Sequence, residues 1–248
     1  MRVVLYDLKK YRNIIRIFYF LIIVISVIGV AFLGSHAYYS SDEYTDTMNE
    51  ANEQMVIIID AGHGGEDCGA VGVTGVYEKD LNLSIANMIG ELFSKEGYAV
   101  VYTRREDKLL YTEEENIKGL RKISDLKNRC KIAAEYPKAL FVSVHMNSFS
   151  NSKYSGLQVY YSPESEESRQ LAACVQSTVK SELQNGNNRK VKAGEGMYIL
   201  ENIDNPSILV ECGFLTNPEE CRKLSEKEYQ KSLSFSIFCG IMEYMKNK

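Results

Sequence analysis

The chain has 248 residues, of which 45% are apolar and 25% are charged. This composition is typical of globular proteins and excludes a disordered or fibrous one. The 29 basic and 33 acidic side chains give a net charge of −4, which disfavours nucleic acid as a partner because proteins that bind it normally present a basic face. The length allows one domain, or two small ones, with a buried core.

The first 34 residues have the pattern of a membrane anchor. A basic segment, 1–16, precedes the uncharged apolar run 17–33. A helix of about 20 apolar residues spans a bilayer core, and the basic flank predicts that the N-terminus stays cytoplasmic while the rest is exported. The alternative is a cleaved signal peptide, since the small residues Ser35 and Ala37 resemble a cleavage site. Residues 35–54 are polar and without an apolar period, so we predict a linker.

Strands and helices alternate over the predicted domain, 55–248. Apolar, mostly β-branched runs predict buried strands at 56–60, 99–103, 140–144, 157–161 and 208–212. Helical spacing predicts a helix that ends at Gly97, one capped by Ser124 or Asp125, one over 165–184 and a last one through 233–245. Residues 106–123 are predicted to be an irregular, exposed insertion. The pattern indicates an α/β fold: a single twisted, mostly parallel sheet with helices on both faces, with room for one antiparallel strand.

Four side chains that can carry chemistry lie at the ends of these elements. His63 and His145 each follow a predicted buried strand, Glu211 ends another, and Glu78 stands just before the first helix. In open α/β sheets, sites form beyond the carboxyl ends of the strands. Two imidazoles and one carboxylate can hold Zn²⁺ with one position open, and a second glutamate can take a proton from water.

The residues alone leave a structural alternative open. A histidine after a strand is commonly structural, the glycines around His63 suit a tight turn, and a glutamate at a helix start interacts favourably with the helix dipole. Other sites are excluded by spacing: the chain has no HExxH, P-loop, GxSxG, complete GxGxxG or CxxC motif. Cys212, beside Glu211, is more typical of a buried thiol than of a nucleophile.

The motifs resemble those of zinc-dependent N-acetylmuramoyl-L-alanine amidases of the Amidase_3 type, in family order over about 55–245. The motifs are IIIDAGHGG at 57–65, EKDLNL at 78–83, TR at 103–104, LKNR at 126–129, FVSVHMNS at 141–148 and ILVECGFLTNP at 208–218. The single domain, the predicted anchor and the charged insertion are most like the germination-specific members in endospore-forming bacteria. Cys68 and Cys212 depart from the residues usual in the family.

The resemblance implies a six-stranded sheet, one Zn²⁺ per domain held by His63, Glu78 and His145, and Glu211 as the general base. The implied reaction is hydrolysis of the amide between N-acetylmuramic acid and L-alanine in peptidoglycan. It also implies an exported enzyme, anchored or secreted, that acts in spore cortex formation for germination and uses an accessory activating protein.

Four further residues have open roles. Asp60 is a candidate to orient a ligand imidazole or to cap its turn. Arg104 and Arg129 are candidates to bind substrate carboxylates, with structural ion pairs as the default; Asn147 is a candidate to bind substrate or to brace its loop. Rival functions are an inactive wall-binding or regulatory module, a zinc peptidase that cuts within the stem peptide, and a membrane-tethered structural protein.

Overall fold

A computed structural model of the chain describes residues 55–247 and, before them, Ile22. Apart from Ile22, the predicted anchor and linker over 1–54 lie outside the described residues. Within the described part, none of the helices combines the length and the apolar character needed to cross a bilayer.

The described chain alternates strands and helices as the sequence predicts. The strands are β1 (Val56–Ala61), β2 (Ala99–Tyr102), β3 (Leu140–Asn147), β4 (Gln158–Tyr161), β5 (Lys192–Ala193) and β6 (Ser207–Phe214). The helices are α1 (Glu78–Lys95), α2 (Arg121–Ala134), α3 (Glu166–Glu182), α4 (Tyr198–Glu201), α5 (Pro218–Ser225) and α6 (Lys227–Lys246). Between β2 and α2 the chain is irregular and largely exposed, as predicted for the charged insertion.

The strands form one six-stranded sheet in the order β2-β1-β3-β6-β4-β5. The first four strands of that order are mutually parallel. β4 is antiparallel to β6 and parallel to β5. The prediction of a mostly parallel sheet with one antiparallel member therefore needs a correction: the sheet is mixed, with two strands reversed. The connection from β3 to β4 is short and contains no helix, whereas parallel strands need a longer crossover that usually contains one.

Helices cover both faces of the sheet, because side chains alternate between the faces along each strand. On one face, residues such as Ile57, Ile59 and Val142 form the larger core with α1, α3 and α6. On the other face, Ile58 and Phe141 form a smaller cluster with α2 and α4. The smaller cluster covers only part of its face, and the polar strand-end residues occupy the rest.

Some boundaries differ from the prediction. α2 begins at Arg121, and Leu120 caps it without a side-chain hydrogen bond, so the predicted caps at Ser124 or Asp125 are wrong. Asp125 instead lies inside the helix and pairs with Arg129. β5, α4 and α5 are absent from the prediction; the first two are too short for a periodic signal. The sequence does carry a helix-start signal for α5, because Asn217 caps the helix directly ahead of a proline.

Candidate metal centre

The four candidate residues, three near strand ends and one at a helix start, meet at one edge of the sheet. β1, β3 and β6 are adjacent and parallel, so their carboxyl ends lie side by side. His63 follows β1, His145 lies in β3, and Glu211 pairs with His145 in the register of β3 and β6. Glu78 is the first residue of α1, which returns over the same edge. The sequence therefore predicted correctly which side chains the fold brings together.

His63, Glu78 and His145 form a compact cluster. Nε2 of His63 lies 3.2 Å from Oε1 of Glu78, and Nδ1 of His145 lies 3.0 Å from the same oxygen. The two ring centroids are 4.9 Å apart with planes at 72°. One ligand-type atom from each residue lies within 4.8 Å of the others, so the three side chains can converge on one metal ion.

Backbone amides hold Glu78 in place. Its Oε2 accepts a hydrogen bond of 2.8 Å from Ala70 N, and its Oε1 accepts one of 3.0 Å from Met146 N. Burial raises the pKa of Glu78, but the hydrogen bonds from His145 and His63 outweigh burial and bring the pKa well below its usual range. Glu78 is therefore an ionised carboxylate that is already oriented.

Asp67, which sequence reasoning missed, orients His63. Its Oδ2 lies 2.9 Å from His63 Nδ1, which leaves Nε2 to face Glu78. Burial lowers the pKa of His63, but the hydrogen bonds and charges of Asp67 and Glu78 raise it to about 9. A carboxylate behind a ligand imidazole is the usual outer partner in metal sites. The only signal for Asp67 in the sequence is its position four residues after His63. The loop is too irregular for the sequence to predict where the side chain of Asp67 points.

The backbone before and after His63 lets its side chain approach Glu78 and His145. His63 has φ 62°, a left-handed conformation that is uncommon for a residue with a side chain. Its carbonyl accepts a hydrogen bond of 2.8 Å from Arg129 Nη2. At Gly62 a Cβ would lie 2.1 Å from His145 Nε2, and at Gly69 it would lie 2.5 Å from Glu78 Oε2. Glycine is thus required at both positions to let the cluster close.

Asp60 and Arg129 are structural rather than catalytic. Both are almost fully buried, and Arg129 pairs with Asp60 and with Asp125. Asp60 also accepts hydrogen bonds from Thr103 and Ser143, and it hydrogen-bonds neither imidazole. The idea that Asp60 orients a ligand is therefore wrong, and the ion-pair alternative for Arg129 is confirmed.

Arg104 is also unavailable to substrate. It is buried and donates to the carbonyls of Ala61, Gly62 and Lys79. Asn147 accepts a hydrogen bond of 2.8 Å from Leu215 N at its carbonyl, so its main chain braces the loop after β6. The hypothesis that its side chain binds substrate stays a prediction. Cys212 is fully buried, which raises the pKa of its thiol well above the usual value; a thiolate nucleophile there is disfavoured.

Glu211 differs from the rest of the site because its carboxylate has no hydrogen-bond partner within residues 55–247. Its Oε2 is buried and has no hydrogen bond to the described residues. Burial raises the pKa of Glu211 to about 7, with the charge of His145 acting in the opposite direction. A carboxyl group in this range can both accept and release a proton near neutral pH.

The site meets the requirements of a divalent metal with imidazole and carboxylate ligands. It offers two ring nitrogens and one ionised carboxylate, the donor set of a catalytic zinc site with an open position. The negative surroundings that favour a proton on His63 also favour a cation. The Oε2 atom of Glu211, which has no partner among the described residues, adds a proton acceptor beside these three donor groups. Such an arrangement at the strand ends of an α/β sheet is typical of metal-assisted hydrolases.

Residues 57–243 match the Amidase_3 family, N-acetylmuramoyl-L-alanine amidase. The chain is 35% identical over 193 residues to the germination-specific N-acetylmuramoyl-L-alanine amidase of Bacillus subtilis, covering 78% of this chain and 81% of that protein. The chain therefore belongs to the N-acetylmuramoyl-L-alanine amidase family, whose members hydrolyse peptidoglycan, and the resemblance seen in the motifs is confirmed.

Two solved structures show the same fold. The CwlD amidase from Clostridioides difficile, in complex with the GerS lipoprotein, is 38% identical with a TM-score of 0.75, covering 79% of this chain and 100% of that one. The amidase AmiC2 of Nostoc punctiforme is 32% identical with a TM-score of 0.66, covering 77% of this chain and 97% of that one. The mixed six-stranded α/β sheet is thus the amidase fold.

Proposed function

We propose that this amidase depends on one Zn²⁺ per domain, held by His63, Glu78 and His145, with Glu211 as the general base. The observation that carries the proposal is the contrast between three converging donor groups and the carboxylate of Glu211, whose buried Oε2 has no partner among the described residues. The substrate bond is the amide between N-acetylmuramic acid and the L-alanine of the stem peptide.

The side chains divide the chemistry between them. A bound zinc ion supplies Lewis-acid chemistry, which lowers the pKa of water and polarises a carbonyl. With zinc bound, Asp67 would keep the proton of His63 on Nδ1 and leave the lone pair of Nε2 for the ion. Glu211 accepts the proton of the attacking water and returns it to the nitrogen of L-alanine, which leaves as an amine. The raised pKa of Glu211 suits both transfers.

The test is digestion of purified peptidoglycan with the zinc-loaded protein and with its Glu211→Gln variant. We expect the wild type to release stem peptides with a free L-alanine amine, and the variant to bind zinc without cleavage. Mass spectrometry of the products and elemental analysis of the proteins are the measurements. Cleavage by the variant at the wild-type rate would exclude Glu211 as the base. Products cut within the stem peptide would favour a peptidase, and intact muropeptides would favour an inactive wall-binding module.

We further propose that the enzyme is exported, held at the membrane by residues 1–34 through the linker 35–54, and active in spore cortex formation. The basic and apolar N-terminal pattern supports the membrane anchor. The similarity to a germination-specific amidase supports the role in spore cortex formation. The complex of the similar clostridial amidase with a lipoprotein supports an accessory protein. A deletion strain whose cortex keeps its normal muramic δ-lactam content would contradict the cortex role alone.

A further inference from the structure

Arg189 is a guanidinium group that forms no ion pair with a carboxylate among the described residues, although burial raises the pKa of Glu220 and the charge of Arg189 acts to lower it. Its Nε donates a hydrogen bond of 2.7 Å to Ser155 O, and its Nη1 donates one of 3.0 Å to Gln158 Oε1. Its Cζ lies 4.4 Å from the ring centroid of Phe214. Within residues 55–247, Nη2 has no acceptor. The group is thus held in a defined orientation with one terminal nitrogen free to donate.

The position of Arg189 is defined by the strand that neighbours the base. Gln158 and Glu211 are directly opposed in the antiparallel pair of β4 and β6, so their side chains project from the same face. Tyr160 lies two residues further along β4, and its hydroxyl is 3.5 Å from Gln158 Oε1. The charges of Glu211 and Arg189 act on this tyrosine in opposite directions. Glu211, Gln158 and Arg189 therefore form a row that runs away from His145.

Arg189 also lines a cavity of about 790 Å³. Its acidic side chains are already engaged: Glu219 pairs with Lys223 at 2.7 Å, and Glu220 accepts hydrogen bonds from Gly156 N and Phe214 N. Most of the other side chains that line the cavity are polar or cationic, among them Lys153, Tyr154, Asn185, Asn187 and Asn217, and Leu183 is apolar. This lining suits a polar, anionic chain better than an apolar one.

The direction of the row matches the leaving group. Glu211 returns its proton to the leaving amine, so the peptide must depart on the side of Glu211. An extended residue spans about 3.5 Å, which places the main-chain carboxylate of the second peptide residue about 7 Å from the cleaved nitrogen. β4 is the next strand on that side of β6, and its residue opposite Glu211 is Gln158, which accepts the hydrogen bond from Arg189 Nη1. Arg189 therefore lies on the side of the base to which the peptide departs.

We propose that Arg189 is a specificity-determining residue that binds the free α-carboxylate of the second residue of the stem peptide, through Nη2. The proposal rests on the proposed amidase reaction with Glu211 as base. Arg104 and Arg129, which the sequence suggested for this role, are buried and engaged. A hydrogen bond between ionised partners contributes more than a neutral one, so the carboxylate would be preferred over its amide.

The experiment uses the zinc-loaded full-length protein and two glycan-linked dipeptide substrates. The substrates carry L-alanine followed by a γ-linked D-glutamate whose α-position is either a carboxylate or a carboxamide. We expect the wild type to prefer the carboxylate by about 10- to 100-fold in kcat/KM, the range of a hydrogen bond to a charged group. Arg189→Gln should remove this preference by raising KM for the carboxylate alone. Arg189→Lys should restore part of it, since a lysine keeps the charge without the planar fork.

The control is Arg169→Gln, which removes an exposed arginine of α3 paired with Glu166 and should leave both rates unchanged. If Arg189→Gln lowered kcat/KM for both substrates equally, the arginine would only brace Phe214 and Ser155, and the proposal would be overturned. Equal cleavage of both substrates by the wild type would also overturn it, while leaving the amidase reaction intact. Cleavage of neither would overturn the reaction and this proposal together.

Discussion

Two carboxylates on the same face of the sheet have opposite surroundings. Asp60, on β1, accepts hydrogen bonds from Thr103 and Ser143 and pairs with Arg129. Burial raises the pKa of Asp60, but these partners outweigh it and lower the pKa below its usual value. Glu211, on β6, has a buried oxygen with no partner in the described structure, and burial raises its pKa to about 7.

The difference separates a carboxylate that stabilises the fold from one that suits the proton transfer proposed for it. A buried carboxylate with a full set of donors is stable as an anion but has no free lone pair for a substrate or a proton. A buried carboxylate without donors destabilises the fold when it is ionised, and therefore exchanges its proton near neutral pH. The fold places both kinds within one sheet, two strands apart.

The largest expected change in the free energy of unfolding is at Asp60, whose carboxylate has a full set of partners. Arg129→Met would leave Asp60 and Asp125 buried without their cation, and removal of one partner of a buried pair typically costs about 3–5 kcal/mol. The free energy of unfolding from denaturant titration measures this loss. Arg169→Met, which breaks an exposed pair, should change that free energy by less than about 0.5 kcal/mol. Equal effects of the two changes would mean that the buried network is not structural.

At Glu211, the carboxylate without a partner, we expect an intermediate change in the free energy of unfolding, of opposite sign. The folded pKa of Glu211, about 7, exceeds the ordinary value of 4.5. The carboxyl group thus favours folding below pH 4.5, and this contribution is lost as the pH rises through 7. In metal-free protein at pH 8, Glu211→Gln should raise the free energy of unfolding by up to about 3 kcal/mol, with no gain at pH 4. A stability equal to the wild type at pH 8 would show that Glu211 has a partner.

The smallest expected effect is at the outer partner of the cluster. Asp67→Asn replaces the carboxylate behind His63 with a neutral amide, and loss of such a partner typically lowers metal affinity about 10- to 100-fold. Competition with a chromogenic chelator measures the zinc affinity. The matched control is Glu66→Gln, at the neighbouring exposed residue that pairs with Arg121, which should leave the affinity unchanged. Unchanged affinity in Asp67→Asn would remove Asp67 from the site.

Sequence reasoning predicted the central strands well, because a strand buried on both faces needs a continuous apolar run, as at 140–144. It also predicted the cluster residues, since chemistry in an α/β sheet sits at strand ends and few polar side chains follow such runs. It failed for Asp67 and Arg189, which lie in loops. The direction of a loop side chain depends on contacts with distant residues, here His63 and Gln158, that no local pattern records.

The alternation of apolar runs and helical periods was enough to establish an α/β sheet covered on both faces, because each pattern reflects burial along a single element. The same sequence patterns could not distinguish an arginine in buried ion pairs from one without an ion pair. Arg129 and Arg189 differ only in what the folded chain brings to them, two carboxylates in one case and an open cavity in the other. Charge pairing acts through space between residues far apart along the backbone, so it is settled when strands and helices pack.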